Sequence, residues 1–566
     1  MIVLLCSIAH ATGAFDATEP VWSSTGDETF TQDGATKLWA RLERWQDPDD
    51  TLFGVREYTD AAAWHDTSYS PWIATAFGSS KPETGSFLLH TGPSELVAHG
   101  TPILFVPGAG DNASRGFITM AIHEDRLNRP VYALTFAHPH GDVFEQAESI
   151  ADAIAVIKQK TGASQVDLVA HSKGGISAVV YASNAANTDW GTNVAAQRYE
   201  QVGTPYREDV RNLVLIATPL GGIDTAYRWS ANNLAALDPA TTLAPASWST
   251  YYPSTTALPL VSTDLRGQDF LPDHGDPFPG QRQLLARQDY DLPWTMSWLG
   301  GYSTVQVDNY TTYEGGVGVL GNGTMSHSDG IDAAILAGGD LIAHLRGVGV
   351  DPNVAVWLLA GQNPLMPNGD ATLASTWASM GITEDDWAGL LADISAHDVP
   401  VSADADELDG LRRGMLVLGE VTGVSDGLVF ETSALDERAI VERGAVIAGT
   451  KTANLSHLDL LYASPITGNL LIDSAQDGTV ADVWMRGVGK RYVEADTIGW
   501  VEDALADDVL PDTGDTDPTD TDPTDDTDTG RPFARPCGGC STGREGVVGL
   551  GLAGFVLLAG RRRRLS

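Results

Sequence analysis

Cysteine is almost absent from this chain. Among 566 residues there are three cysteines, Cys6, Cys537 and Cys540, and all of them stand near the ends. Between residues 7 and 536 no disulfide can form and no thiolate is available to a metal ion. A disulfide scaffold and a cysteine-zinc site are therefore excluded for the body of the chain.

Basic residues are scarce as well. The chain has 34 Lys and Arg against 75 Asp and Glu, which gives a formal net charge of −41. This balance argues against a basic surface for nucleic acid or anionic lipid, so we expect no nucleic-acid partner. The hydrophobic content of 43% is ordinary for a globular protein. Because 566 residues exceed one typical core, extra segments or a second domain are expected.

The first residues have the pattern of a signal peptide. Residues 2–8 are mostly apolar, and Ala9-His10-Ala11 has the small-x-small form of a cleavage site. The basic residues that usually precede such a run are missing, so a truncated start or another role stays open. Residues 1–11 are predicted to be a signal peptide, which indicates secretion.

The C-terminal end carries a second targeting pattern. Cys537-Gly-Gly-Cys540 is followed by the apolar residues 547–559 and by four arginines at 561–564. As a helix, residues 546–560 would span only about 22 Å, against a hydrocarbon core of about 30 Å. Arginines stay on the cytoplasmic side, which leaves the body outside the cytoplasm. Residues 537–566 are predicted to be a short membrane anchor or a sorting signal, after an acidic Asp/Thr/Pro linker at 501–536.

These three parts, in this order, resemble the bacterial MYXO-CTERM type of C-terminal sorting signal. The resemblance covers about thirty residues. It implies cleavage by a sorting protease and attachment at the cell surface. A plain membrane anchor would leave the body of the chain on the same side of the membrane.

The centre of the chain is the sequence from Val166 to Gly175. An apolar, β-prone run ends in Ala170-His171-Ser172-Lys173-Gly174, and a helical pattern follows. This is the layout of a nucleophile elbow, in which a sharp strand-to-helix turn lifts a serine hydroxyl above a sheet. The helix N-terminus directs free N–H groups at the same point and favours an oxyanion there. Ser172 is the predicted nucleophile, although a serine at an ordinary turn gives the same five-residue pattern.

The surrounding pattern predicts a parallel sheet. Nearly all-apolar runs at 102–106, 130–134, 165–170, 212–217 and 354–360 alternate with helical stretches such as 147–160. Such runs are typical of parallel strands that are buried on both faces. Residues 415–418 are apolar again, and 444–448 are predicted to be the last strand. The fold class is therefore α/β, a mostly parallel sheet with helices on both faces.

Two segments depart from that pattern, one before the predicted core and one inserted into it. Residues 12–98 are rich in tryptophan and are predicted to pack on the core, with a short amphipathic helix at 37–45. Residues 99–224 and 351–500 form the two halves of the core. Residues 225–350, rich in Ser, Thr, Pro, Gly and aromatics, are predicted to be an inserted cap or lid.

A serine nucleophile needs a base and an acid that orients the base. Asp426 follows the apolar run at 415–418, and His457 follows the strand predicted at 444–448. The order Ser172, Asp426, His457 is that of α/β-hydrolases. One oxyanion donor is expected to be the N–H of Lys173, the residue after the nucleophile.

Four motifs together resemble the bacterial lipase and esterase families of the α/β-hydrolase fold. They are Ala-His-Ser-Lys-Gly-Gly at 170–175, Ile-Ala-Thr-Pro-Leu-Gly-Gly at 216–222, Ser-Asp-Gly-Leu-Val at 425–429 and Ser-His-Leu-Asp-Leu-Leu at 456–461. The resemblance implies that Ser172 is the nucleophile, Asp426 the acid and His457 the base. The turn at Pro107-Gly108-Ala109-Gly110 resembles the lipase His-Gly-x turn, with Pro107 in the histidine position, and implies Ala109 N–H as the second oxyanion donor.

Several residues compete for these roles. Asp329 lies in a second Ser-Asp-Gly motif, Asp224 follows the Thr-Pro-Leu-Gly-Gly run, and His138 and His140 flank Pro139 beyond a strand end. Asp404, Asp406 and Asp409 could form a calcium loop, but a charged surface loop is favoured, and neither a metal nor a cofactor is expected.

The sequence therefore predicts a secreted or surface-held serine hydrolase that acts on an ester or lipid. A polyhydroxyalkanoate depolymerase and a non-catalytic binding module on a hydrolase scaffold are the alternatives.

Overall fold

A computed structural model describes the following residues of the chain: 19–25, 39–47, 71–79, 82–83, 85–94, 100–187, 205–224, 248–251, 279–289, 314, 316–319, 325–328, 330–367, 384–396, 408–410, 416–417, 423–476 and 478–506. The predicted signal peptide, most of the acidic linker and the C-terminal sorting signal lie outside these residues. In the part of the chain that is described, none of the helices is both long enough and apolar enough to cross a membrane.

Nine strands form one sheet at the centre of the molecule. The strands of the chain are β1 (Trp22–Thr25), β2 (Arg41–Gln46), β3 (Ser86–Thr91), β4 (Ile103–Val106), β5 (Val131–Phe136), β6 (Val166–His171), β7 (Val210–Ile216), β8 (Trp248–Tyr251), β9 (Gly316–Val319), β10 (Met325–Ser328), β11 (Ala355–Gly361), β12 (Leu365–Met366), β13 (Leu416–Val417) and β14 (Val446–Ala453). The central sheet has the order β1-β2-β3-β5-β4-β6-β7-β11-β14. The six strands from β5 to β14 are parallel, and β1, β2 and β3 add to them by antiparallel pairing.

Helices cover this sheet on both faces. They are α1 (Pro71–Phe77), α2 (Ala113–Gly116), α3 (Ile118–Arg126), α4 (Val143–Thr161), α5 (Lys173–Ala182), α6 (Pro279–Gln283), α7 (Ile331–Ala337), α8 (Leu341–Val348), α9 (Glu384–Ser395), α10 (Glu431–Ala434), α11 (Arg438–Val441), α12 (Pro465–Ser474), α13 (Val480–Ala495) and α14 (Thr497–Leu505), with short 3-10 helices at Ala185–Asn187 and Asp459–Leu461. Successive strand residues point to opposite faces, so Phe105 and Val169 pack with α3, α13 and α14 while Leu104 and Leu168 pack with α4, α5 and α8. The predicted doubly covered parallel sheet is confirmed, and its topology is that of the α/β-hydrolase fold.

Local sequence explains where the longer helices begin and end. The Asp142 carboxylate accepts from the Phe144 amide at 2.9 Å and caps α4, which ends at Gly162 in the left-handed conformation (φ 75°). Thr479 and Asp482 form a capping box at the start of α13. The capping side chains accept hydrogen bonds from backbone amides that have no partner within these helices.

The predicted helix at 37–45 is wrong. Residues 41–46 form strand β2, which pairs with β3 and places Leu42 and Trp45 in the core. Pairing with β1 on one side and β3 on the other is a long-range contact, and it overrides the weak helical spacing of this tryptophan-rich stretch.

The apolar run at 415–418 also differs from its prediction. Among the described residues, Leu416 and Val417 pair with Leu365 and Met366, as a two-stranded ribbon separate from the central sheet. The next strand of the sheet after β7 is β11, and β14 follows it. A short apolar run is therefore not by itself a signal for a central strand.

The inserted region from 225 to 350 contains its own small sheet. β10 pairs antiparallel with both β8 and β9. Separately, residues 279–289 lie against the core, where the amide of Ile223 donates to Leu284 and the amide of Ala286 donates back to Ile223. This second piece of the insertion approaches the carboxyl ends of the parallel strands.

Candidate active site

Ser172 stands at a strained turn between β6 and α5. Its backbone has φ 52° and ψ −128°, in a region that non-glycine residues rarely adopt. Backbone strain of this kind is commonly stored at functional sites. The turn directs the N-terminus of α5 toward the same point, so the serine lies beside unpaired helix N–H groups.

Close packing explains the small residues around this serine. A Cβ on Gly174 would lie 2.3 Å from the Pro107 carbonyl oxygen, and one on Gly175 would lie 1.9 Å from Thr218 Oγ1. A Cβ on Gly108 would meet the Ser172 Cβ at 2.9 Å. The turn after β4 therefore touches the serine directly, and glycine is required on both sides of the contact.

His457 and Asp426 are joined by two hydrogen bonds. The Nδ1 atom of His457 lies 2.7 Å from Asp426 Oδ2, and the His457 amide donates to the Asp426 carbonyl at 3.0 Å. The other carboxylate oxygen accepts from the amides of Leu428 and Val429 at 2.9 and 2.8 Å. With Oδ1 held by amides, Oδ2 is aligned with the imidazole, and both side chains are buried.

Asp426 lies at the end of a different strand from the one predicted. A Cβ on Gly361, the last residue of β11, would lie 2.7 Å from the Asp426 Cβ. The aspartate therefore lies at the carboxyl end of β11, although more than sixty residues separate the two in the sequence. The run at 415–418, from which the acid was predicted to follow, is not a strand of the central sheet.

His171 connects the serine turn to the histidine loop. Its Nε2 lies 3.0 Å from the His457 carbonyl oxygen, and the centroids of the two rings are 4.6 Å apart. Burial, together with the neighbouring His457, holds the pKa of His171 well below its usual value, so the ring is neutral. A neutral ring that donates from Nε2 has no proton on Nδ1. Through this contact the loop that carries His457 lies against the carboxyl end of β6, the strand that Ser172 directly follows.

The two predicted oxyanion donors come from elements that touch each other. Lys173 is the first residue of α5, and Ala109 lies in the turn after β4, where it is exposed. Within the described part of the chain, neither the Ala109 amide nor the Lys173 amide donates to a protein acceptor. Gly174 and Gly108 bring the two turns into contact, as described above.

The side chain of Lys173 is buried, which the sequence did not indicate. Its Nζ donates to Gln146 Oε1, which also accepts from Ser177 Oγ at 3.1 Å. Burial lowers the pKa of Lys173 to about 7, and the carboxylates of Asp142 and Glu145 oppose that shift. A Cβ on Gly280 would lie 1.9 Å from the Lys173 Cε, so this part of the insertion covers the lysine stem.

The competing residues take other places. The Asp224 carboxylate accepts from the amide of Gln288, and His140 Nδ1 contacts the side-chain amide of Gln281. The His138 ring lies edge-on to that of His140. Asp329, Asp404 and Asp406 are outside the described residues.

One acidic cluster has metal-like spacing. The side chains of Asp47, Glu148 and Asp152 are buried, and an oxygen of each lies within 4.8 Å of the others. Among the described residues this is the group of three with such spacing. The group is formed by α4 and the end of β2, outside the set of residues predicted for the site.

Sequence reasoning missed the residues that hold the turn after β4. Asp111 and Arg115 form a buried pair at 2.8 Å, and the Tyr462 hydroxyl donates to the Arg115 carbonyl at 2.8 Å. The i, i+4 spacing of an aspartate and an arginine was a signal for the first pair. The contact from Tyr462 is long-range and has no local signal.

Comparisons with known proteins give only distant likenesses. No protein-family model and no curated protein matches the chain. The solved structures that resemble it include a Bacillus licheniformis lipase in its mature form, at 15% identity over 68% of this chain and 95% of the other, with a TM-score of 0.29. A Listeria innocua protein matches at 14% identity over 67% of this chain and 96% of the other (TM-score 0.26). Aspergillus fumigatus lipase B matches at 19% identity over 22% of this chain and 25% of the other (TM-score 0.16). At these values the likenesses carry no weight for the chemistry of this chain.

Proposed function

We propose that this chain is a serine carboxylic-ester hydrolase of the lipase/esterase type, in which Ser172 is the nucleophile, His457 the general base and Asp426 the orienting acid. The observation that carries the proposal is the 2.7 Å contact between His457 Nδ1 and Asp426 Oδ2. The His457 carbonyl in turn contacts the ring of His171, which directly precedes a serine held at φ 52°. An acid and a base aligned next to a strained serine are the requirements for activating a hydroxyl.

The reaction follows from the chemistry of these groups. His457 accepts the proton of Ser172 at Nε2 while Ser172 Oγ attacks the ester carbonyl carbon. Collapse of the tetrahedral intermediate expels the alcohol, which takes the proton from His457, and leaves an acyl-serine. Water, deprotonated by His457, then attacks the acyl group, and the acid is released as Ser172 regains its proton. Asp426 keeps the proton of the imidazole on Nδ1 throughout.

The oxyanion of each intermediate needs two preorganised donors. The amides of Ala109 and Lys173 fit that role because they come from adjoining turns and have no other acceptor among the described residues. Loss of one such donor typically costs about 3 kcal/mol of transition-state stabilisation. No step in this scheme requires a cofactor.

The place of action is part of the same proposal. The predicted signal peptide at 1–11 and the predicted sorting signal or anchor at 537–566 put the body of the chain outside the cytoplasm, secreted or held at the cell surface. Removal of the chain from intact cells by added protease, with a cytoplasmic marker left whole, tests this; protection of the chain on intact cells would contradict it.

Labelling with a fluorophosphonate probe tests the nucleophile. The wild type should be labelled and Ser172→Ala should not. Ser177→Ala, on the same helix and bonded to Gln146, is the matched control and should label like the wild type. An unlabelled wild type would refute the proposal and favour a binding module. A labelled Ser172→Ala would refute Ser172 as the nucleophile.

The class of ester requires a separate measurement. Short and long p-nitrophenyl esters, emulsified triglyceride and polyhydroxybutyrate film separate an esterase, a lipase and a polyester depolymerase. The predicted cap at 225–350 and the 15 tryptophans favour an apolar acyl chain, so we expect activity on long-chain esters and on triglyceride. Hydrolysis of the polyester film alone would replace the lipase with a depolymerase.

A further inference from the structure

The turn after β4 fixes the peptide that carries the Ala109 N–H. The amide of Asp111 donates to the Gly108 carbonyl at 3.4 Å and closes a four-residue turn. The Gly108 carbonyl and the Ala109 N–H belong to one planar trans peptide, so they point in opposite directions. When Asp111 holds the Gly108 carbonyl inside the turn, the Ala109 N–H is directed out of it. The position of Asp111 therefore sets the direction of this donor.

Arg115 holds Asp111 and the neighbouring carbonyl at once. Its Nε donates to Asp111 Oδ1 at 2.8 Å, and its Nη2 donates to the carbonyl oxygen of Gly110. Only 15% of the Arg115 side chain and 8% of the Asp111 side chain are exposed. A planar guanidinium that bridges a carboxylate and a carbonyl is far more restrictive than a single contact.

Arg115 is in turn linked to the histidine loop. The Tyr462 hydroxyl donates to the Arg115 carbonyl at 2.8 Å, and Tyr462 directly follows the 3-10 helix at Asp459–Leu461. Burial raises the pKa of Tyr462 above its usual value, so the hydroxyl keeps its proton and remains a donor. The loop with His457 is thus bonded to α2, the helix whose Arg115 side chain holds the turn with Ala109.

We infer that Arg115 is a positioning residue for the reaction, which aims the Ala109 N–H at the developing oxyanion by holding Asp111 and the Gly110 carbonyl in the turn. The inference rests on the proposed function. A misdirected Ala109 N–H no longer stabilises the oxyanion, whose charge develops in the transition state and not in the bound substrate. Arg115→Gln should therefore lower kcat about 10- to 100-fold and change KM less than about threefold. Arg115→Lys keeps the charge beside Asp111 but cannot bridge both acceptors, so it should fall between the wild type and Arg115→Gln.

The experiment compares kcat and KM on a p-nitrophenyl ester with inhibition by a boronic acid, which forms a tetrahedral adduct on the serine. Across the Arg115 variants, the affinity for the boronic acid should fall in proportion to kcat. Arg443→Gln is the matched control, because Arg443 also bridges a carbonyl, that of Ser183 at 3.1 Å, and a carboxylate, that of Asp351 at 3.2 Å. This control should keep kcat and boronate affinity within about twofold of the wild type. Thermal unfolding of each variant shows whether it is folded.

A second variant tests the same inference if Arg115→Gln fails to fold. Tyr462→Phe removes one hydroxyl and should lower kcat about three- to tenfold with KM unchanged. A wild type that fluorophosphonate labels, together with Arg115→Gln or Tyr462→Phe at wild-type kcat, would overturn the inference and leave the proposed function intact. Equal losses in Arg443→Gln would also overturn it. An unlabelled wild type would overturn the proposed function and, with it, the role of Arg115.

Discussion

The imidazole of His457 and the carboxylate of Asp426 are 2.7 Å apart in the folded chain although they are 31 positions apart in sequence. The carboxylate is polarised on both sides, by two backbone amides on Oδ1 and by the histidine on Oδ2. This arrangement leaves only Oδ2 for the imidazole. Whether the group at that position accepts or donates a hydrogen bond therefore decides which imidazole nitrogen carries the proton.

Asp426→Asn should therefore lower kcat by about 10⁴ without unfolding the chain. The amide oxygen of asparagine replaces Oδ1 as acceptor for the Leu428 and Val429 amides, and its NH₂ group faces His457 Nδ1. A donor in that position requires an unprotonated Nδ1 and moves the proton to Nε2, where it blocks general-base action. Ester hydrolysis and the rate of fluorophosphonate labelling measure the loss.

Asp224→Asn is the control for that substitution. Asp224 is the alternative acid considered from the sequence, and its carboxylate accepts from the Gln288 amide. Asparagine retains an acceptor oxygen, so kcat should stay within about threefold of the wild type. A larger loss of kcat in Asp224→Asn than in Asp426→Asn would show that Asp224, and not Asp426, is the acid that orients His457.

Replacement of His171 should disturb His457 without touching the nucleophile. His171→Phe removes the donor at 3.0 Å from the His457 carbonyl and leaves that buried oxygen unpaired, at a cost of about 1–3 kcal/mol. We expect a tenfold or greater loss of kcat, whereas His171→Gln, which can still donate, should lose less. Equal activity in both variants would show that the hydrogen bond does not position His457.

Gly280→Ala should loosen the piece of the insertion that covers Lys173. The added methyl would lie 1.9 Å from Lys173 Cε and 2.2 Å from the Gly141 carbonyl oxygen, and that backbone atom cannot move aside as a side chain can. We expect about 1–3 kcal/mol of destabilisation and faster amide exchange over residues 279–289.

Gly347→Ala provides the comparison for Gly280→Ala. A Cβ at Gly347 meets nothing within 4 Å, and the residue lies inside α8. Alanine there should be neutral or stabilise the chain by up to about 1 kcal/mol. Unchanged exchange at 279–289 in Gly280→Ala would mean that the insertion is not held at this glycine.

The parts of the site that the sequence predicted are those with a local signal. Ser172 and Lys173 lie in one strand-turn-helix unit, whose apolar strand, small residues and helical spacing are all contiguous. The parallel strands were predictable for the same reason, because full burial makes each of them an unbroken apolar run.

The rest depends on contacts between distant segments. The sequence predicts a helix over β2 because its strand conformation comes from pairing with β1 and β3, which no local pattern encodes. Asp426 was identified by its motif but not by its place at the end of β11, which is fixed by packing against Gly361. The buried state of Lys173 depends on residues more than a hundred positions later, which no pattern around Lys173 could reveal.

Glu124 should make the stability of the chain depend on pH. Its side chain is 1% exposed and lies 3.7 Å from Arg129, yet burial outweighs that charge and raises the pKa of Glu124 to about 7. Unfolded, the carboxyl titrates near 4.5. Between these values the folded chain keeps a proton that the unfolded chain has released, so this group lowers the free energy of unfolding as pH rises from about 4.5 to about 7. A difference of about 2.5 pKa units corresponds to about 3 kcal/mol.

Glu124→Gln removes this titration and leaves the surrounding charges, Arg129, His123, Glu502 and Asp167, in place. The variant and the wild type should differ least in stability near pH 4.5. By pH 8 the free energy of unfolding of the variant should have risen by about 3 kcal/mol relative to that of the wild type, because only the wild type then holds a buried carboxylate. Urea unfolding at pH 4.5, 6, 7 and 8 measures the difference at each pH. A gap of constant size from pH 4.5 to pH 8 would mean that the carboxyl has the same pKa in the folded and the unfolded chain, with Arg129 compensating for its burial.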